Sequence, residues 1–280
     1  MHFIFSVFIY LMFTNFCFSS SLLSHKATYN LTLERKNMNS LLEGGVGKST
    51  LLFQKTCSGW SLKENFMITY NLANKKSAKS FSVFKTFEDF KSKRFSFEHY
   101  DKSELSGEIN YSGFVKKKDK NLSGKLIDKN IKNISYEGSI LLPTEHLIRL
   151  IDFAKEEKKF FNSDVFFGSN KNNLIKRVTA FIGRKKLSSE KSKYKFLKKN
   201  VWPINLAFYN FKQKKAIPET EISLEIDEEG VVHYYTVRSP NYIDAEKYDG
   251  CPNLLSLEMP EATEIGQCAR SLAQLSLSLP

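Results

Sequence analysis

From Ala27 onward the chain alternates apolar and polar residues with a period of two, which limits it to strands that bury one face. Ala27, Tyr29, Leu31 and Leu33 interleave with Thr28, Asn30, Thr32 and Glu34. The same rhythm returns over 81–87, 94–98, 108–111, 178–182, 202–208, 221–226 and 231–237. Between the last two, Asp227-Glu228-Glu229-Gly230 reads as a four-residue hairpin loop ending in glycine. With 24 Phe and 12 Tyr there is enough aromatic surface for a real core, and 13 Gly and 7 Pro exclude a collagen-like or Pro/Gly-rich chain. Many short strands joined by polar turns predict a mainly β protein, an antiparallel barrel or sandwich.

One segment breaks the period. Pro143-Thr144 precedes an apolar stripe of Leu147, Ile148, Ile151 and Ala154, widened by Leu150 and Phe153, which predicts one α-helix over 144–157 with Thr144 as its N-cap. The regions 38–49, 115–132 and 184–200 read as polar, Lys-rich loops or hairpin ends, and 269–280 as a disordered Ser/Leu tail.

Residues 1–20 are a separate object. They carry no Lys, Arg, Asp or Glu, and an apolar run over 3–13 leads into a serine cluster, the pattern of a secretory signal peptide cut after Ser19 or Ser21. An uncleaved N-terminal anchor is the alternative. Beyond residue 23 no apolar stretch is long enough to cross a bilayer. Cys17 would leave with the signal, so Cys57, Cys251 and Cys268 remain; in an oxidising compartment two of them should pair.

Several motifs invite chemistry. Gly44-Gly45-Val46-Gly47-Lys48-Ser49-Thr50 resembles a phosphate-binding loop, yet Leu42 stands where its first glycine belongs, and the following residues read as a strand rather than a helix. A flexible hairpin turn is the expectation there. His25, His99, His146 and His233 show no i, i+4 pair, and no thiolate or imidazole spacing suits zinc, so no metal or other cofactor is expected. No Gly-x-Ser-x-Gly elbow nominates a nucleophile. The net charge of +12 comes mostly from scattered lysines with few arginines, which suits peripheral contact with an anionic membrane surface better than nucleic acid.

Five segments in order carry a family resemblance: His25-Lys26-Ala27-Thr28-Tyr29, Cys57-Ser58-Gly59-Trp60 closing a second strand, Thr86-Phe87-Glu88-Asp89, Leu142-Pro143-Thr144-Glu145-His146 and Trp202-Pro203-Ile204. Together they are similar to the alphaproteobacterial cell-envelope integrity EipB family, a periplasmic family otherwise described as a domain of unknown function. The resemblance covers roughly 24–243. It implies an antiparallel β-spiral, like an opened barrel, with an associated helix, so that 24–268 would form a single domain. It also implies a disulfide from Cys57 to a C-terminal cysteine, with Cys268 preferred and Cys251 the alternative partner. Such a closure, of about 210 residues, contributes roughly 4–5 kcal/mol in the chain-entropy view.

The expected function is that of an exported periplasmic protein supporting envelope integrity without catalysis, by binding an envelope partner protein or an amphipathic, lipid-like ligand. His25, Trp60, His146 and Trp202 are the candidate structural or ligand-lining residues. The alternative is a periplasmic hydrolase or envelope-remodelling enzyme using His146 or His25 with Glu145.

Overall fold

The computed structural model describes residues 22–34, 42–188, 198–211, 217–239, 242–245 and 255–256. The expected signal segment, the Ser/Leu tail, Cys251 and Cys268 lie outside them. The alternation becomes β1 (His25–Glu34), β2 (Leu42–Lys55), β3 (Gly59–Leu72), β4 (Lys76–Asp89), β5 (Arg94–Ser103), β6 (Gly107–Lys118), β7 (Asn121–Ile127) and β8 (Ile131–Glu137). These pair consecutively and antiparallel, so each strand needs only a short turn to reach its neighbour.

A second sheet follows: β9 (Ile140–Leu141), β10 (Phe160–Phe166), β11 (Ile175–Ile182), β12 (Lys186–Leu187), β13 (Asn200–Asn210), β14 (Thr220–Ile226), β15 (Val232–Ser239) and β16 (Tyr242–Ala245). Its order is β16-β15-β14-β13-β11-β10-β9, with β12 on β13. The two-residue β17 (Leu255–Ser256) returns to the first sheet, outside β1. Neither sheet closes on itself.

The helix α1 (Pro143–Lys155) has a topological reason to exist. β9 and β10 run parallel, and a parallel pair needs a crossover connection. Its buried face is His146, Leu150, Ile151 and Ala154 together with Thr144. That face is rotated from the expected stripe, because Leu147 and Ile148 are only half-buried. Thr144 is not the cap. Leu142 is the N-cap and Pro143 takes the first helical turn, where its missing N–H costs nothing.

Two cores result. One joins Phe53 and Trp60 of the first sheet to Phe161, Val178, Trp202 and Ile226 of the second, with Leu150, Ile151 and Ala154 of α1. The other collects Phe95, Phe97, Tyr111, Leu122 and Leu126 against Phe166 and Ile175.

Several expected loops are strands. The glycine-rich segment over 44–50 lies inside β2 rather than in a hairpin turn, paired on both sides from Thr32↔Val46 to Val46↔Thr69. Its glycines let β3 come close: a Cβ on Gly47 would stand 2.3 Å from the Met67 carbonyl oxygen, and one on Gly45 2.8 Å from that of Thr69. Region 115–132 is mostly β6, β7 and the start of β8, since Val115, Leu122 and Leu126 keep the period while the lysines other than Lys117 face out. In 184–200, β12 and the start of β13 are likewise strand, and 189–197 lie outside the described residues. Trp60 opens β3 rather than closing the second strand, since Thr56, Cys57 and Ser58 form the turn between them.

Candidate functional site

Trp60 and Trp202 come from different sheets into one core cluster. Trp60 is stacked on Phe53, with centroids 5.0 Å apart and planes 7° from parallel, and meets Phe90 edge-on at 5.9 Å. Lys185 holds its ammonium 4.6 Å from the Trp202 ring centre, at the margin of the cluster.

The two nominated histidines border the same cluster without meeting. The His25 ring lies 5.9 Å from that of Phe53, and its Nδ1 stands 2.8 Å from the Leu23 carbonyl oxygen. His146 stacks on Phe161 at 5.4 Å and 18°, and Phe161 in turn packs on Phe153 at 4.6 Å. Burial lowers the pKa of both, that of His146 to about 4, so the rings are neutral at pH 7. His146 Nε2 is buried with no hydrogen-bond partner.

Glu145 does not turn toward either ring. Its carboxylate takes Lys117 at 2.8 Å and Arg149 at 2.7 Å, and Oε2 also accepts the Leu142 N–H at 3.3 Å. Neither pair named by the hydrolase alternative, His146 with Glu145 or His25 with Glu145, is therefore hydrogen-bonded together. His99, away from this cluster, is half-buried, with Nδ1 2.7 Å from the Tyr111 hydroxyl.

Two buried carboxylates escaped the sequence reading. Glu88, at the end of β4, accepts the backbone N–H groups of Thr144 at 2.6 Å and Glu145 at 3.0 Å, and the Ser92 hydroxyl at 2.8 Å. It thereby satisfies the orphan donors of the helix start from another sheet. Burial raises its pKa, and those hydrogen bonds only partly offset the rise. A signal existed: Glu88 and Asp89 are adjacent acids just before a turn, and both are buried.

Asp227 sits in the β14–β15 turn. Its Oδ1 accepts the N–H groups of Glu229 at 3.0 Å and Val231 at 2.9 Å, and its Oδ2 stands 3.1 Å from Nε2 of the fully buried His233. Lys199 lies 3.8 Å from Oδ2. Burial alone would raise the Asp227 pKa, but His233, the Val231 amide and Lys199 together hold it below the ordinary value. The Leu23 N–H donates to the Glu229 carbonyl and the Tyr29 hydroxyl to that of Val232, so this turn anchors the start of β1. Among the described residues no cluster of His, Cys, Asp and Glu is arranged to hold a metal.

Two open antiparallel sheets around shared aromatic cores, with a helix crossing between parallel strands, define a β-barrel-like protein. Comparison with solved structures agrees: the crystal structure of the β-barrel-like protein of domain of unknown function DUF1849 from Brucella abortus superposes with a TM-score of 0.74. It does so at 22% identity, covering 86% of this chain and 99% of that one. The EipB-like family model matches residues 18–239, and the chain belongs to that family. The cell envelope integrity protein EipB of Brucella abortus (strain 2308) is 26% identical over 223 residues, covering 77% of this chain and 79% of that protein.

Proposed function

We infer that this chain is an exported periplasmic protein that supports envelope integrity by binding, without catalysis, an envelope partner or an amphipathic molecule. The envelope role follows the relative's name. The binding part rests on one observation: the aromatic cluster that joins the sheets is bordered by histidines held neutral and set against rings rather than carboxylates. Such a surround suits an apolar guest with a few polar anchors, and neither imidazole is hydrogen-bonded to a carboxylate that would orient it as a base.

The Cys57–Cys268 disulfide belongs to this reading. β17 runs antiparallel to β1 with Ser256 opposite His25, the β1 residue that pairs with Phe53 just before the β2–β3 turn that carries Cys57. Cys268 is preferred to Cys251 on the family resemblance. Cys57, moreover, is not a free thiol.

The test is deletion in the source bacterium with rescue by the full chain. Loss of resistance to detergent or to cell-wall antibiotics is expected, restored by the chain and by its His146→Leu variant. A requirement for the His146 or His25 imidazole in rescue would overturn the non-catalytic reading. Native mass spectrometry of the exported protein checks the guest directly, and non-reducing peptide mapping should recover a Cys57–Cys268 peptide.

A further inference from the structure

The outward face of the first sheet exposes large apolar side chains among its polar ones, and no element among the described residues packs over them. Facing residues follow from the register: one row across the strands reads Asn30, Lys48, Met67, Phe81, Lys102 and Glu108. Met67 and Phe81 are directly opposite each other, 56% and 41% exposed, and Val46 beside them is 60% exposed. The charge on the rest of that face of β1–β5 is mostly lysine: Lys26, Lys63, Lys79 and Lys85 join Lys48 and Lys102 among uncharged neighbours such as Thr28, Thr50, Asn65 and Thr69. Against them stand Glu98, already paired with Lys85 at 2.9 Å, and Glu108. Arg94 shares the face but is held by Asp89 at 3.2 Å.

The geometry points to this face as a docking surface for an anionic lipid membrane, with Met67, Phe81 and Val46 entering the headgroup boundary between two flanks of lysine. Charge complementarity selects the occupant. A second copy of the chain would set lysine rows against lysine rows, which repels. The free cations are compact, hydrated ammonium groups rather than arginine forks, so they attract lipid phosphates through their summed field and need no bidentate match. Exposed apolar side chains among lysines add the buried area that holds an interfacial protein on a bilayer. The surface rests on the envelope setting proposed above, but it is distinct from the interior aromatic cluster.

Vesicle sedimentation with the exported, processed chain tests it. Vesicles of phosphatidylglycerol and phosphatidylethanolamine should carry the protein down at about 50 mM salt and release it near 0.5 M, while phosphatidylcholine vesicles should not hold it. Lys48→Glu with Lys102→Glu should weaken binding at least about tenfold. Met67→Ser with Phe81→Ser should weaken it several-fold and make the remainder more salt-sensitive. The pair Lys155→Glu with Lys159→Glu, the same change in net charge at and just beyond the end of α1, should stay within about twofold of the parent. The surface is wrong if the parent ignores the anionic vesicles, if the Lys48/Lys102 variant binds like the parent, or if the Lys155/Lys159 control falls equally. Retention by a soluble acidic protein in place of vesicles would overturn it in favour of a protein partner. None of these failures would touch the deletion phenotype, so the two readings are separable.

Discussion

Glu88 and Asp227 do the same job in different ways. Each is a buried carboxylate that accepts two backbone N–H groups, but Asp227 serves residues two and four positions away while Glu88 serves residues 56 and 57 positions away. Asp227 also receives a histidine and a nearby lysine, and its charge is favoured; Glu88 has no cation, and its charge is disfavoured. A turn can assemble every partner its carboxylate needs within one loop. A contact between β4 and the helix start has the donors that the helix leaves over and the Ser92 hydroxyl, with no cation among the described residues, and the charge stays partly unrepaid.

The largest expected effect tests the favourable side. Asp227→Ala leaves two amides and the fully buried His233 without their acceptor and should cost about 4 kcal/mol in urea unfolding at pH 7. The sign with pH is fixed by the lowered pKa. The Asp227 contribution is present above the ordinary aspartate range and is lost as pH falls through its folded value, so parent and variant should converge in acid.

His146 sharpens the contrast, because burial around the helix start disfavours charge on both Glu88 and His146. With its pKa moved from 6.5 to about 4, the neutral ring contributes stability above pH 6.5 that is lost as pH falls toward 4, a difference of roughly 3 kcal/mol. His25, also lowered, acts in the same direction, and Glu88, raised, acts against it. His146→Leu should flatten the acid limb of the stability profile between those values, even if its stability at pH 7 changes little.

Glu88→Ala should cost less than Asp227→Ala, about 2 kcal/mol, because removing it also removes a charge that the site does not favour. Amide exchange should quicken first in α1, at Thr144 and Glu145. An equal or larger loss than at Asp227 would break the comparison.

That contrast also marks what the sequence makes legible. The period of two reveals β1, β4, β5, β6, β11, β13, β14 and β15, and its interruption reveals the helix, because alternation is imposed residue by residue along each element. β3 and β10 are not legible that way, and most of β2 reads as loop. Asp227-Glu228-Glu229-Gly230 is legible for the same local reason, and Gly230 takes the positive φ of +83° that ends the turn. Thr144 misleads as an N-cap because the acceptor that the helix start uses arrives from β4. The glycines at 45 and 47 look like a hinge because glycine that permits close strand approach has the same local signature as glycine that permits a turn. Lys116 and Lys118 look like loop because lysine content outweighs the alternation beneath it, while Lys117 between them turns inward to Glu145. Trp60 and Trp202 could be nominated one by one, but their shared cluster depends on how two sheets face each other, which no local pattern encodes.

The smallest expected effect is the solvent-exposed counterpart of both carboxylates. Glu98 bridges Lys85 at 2.9 Å across β4 and β5, with the two side chains 64% and 52% exposed. Water already solvates both charges, and ordering two long side chains offsets much of their attraction. A double-mutant cycle of Lys85→Met and Glu98→Gln should return a coupling below about 0.5 kcal/mol, shrinking further with added salt. Asp227, Glu88 and Glu98 would then form a series in which a carboxylate's worth follows how many donors replace its lost water, and the presence of a nearby cation alone does not set it. A coupling at Lys85–Glu98 comparable to the Glu88 loss would show instead that the outer lysine face is held more rigidly than its exposure implies.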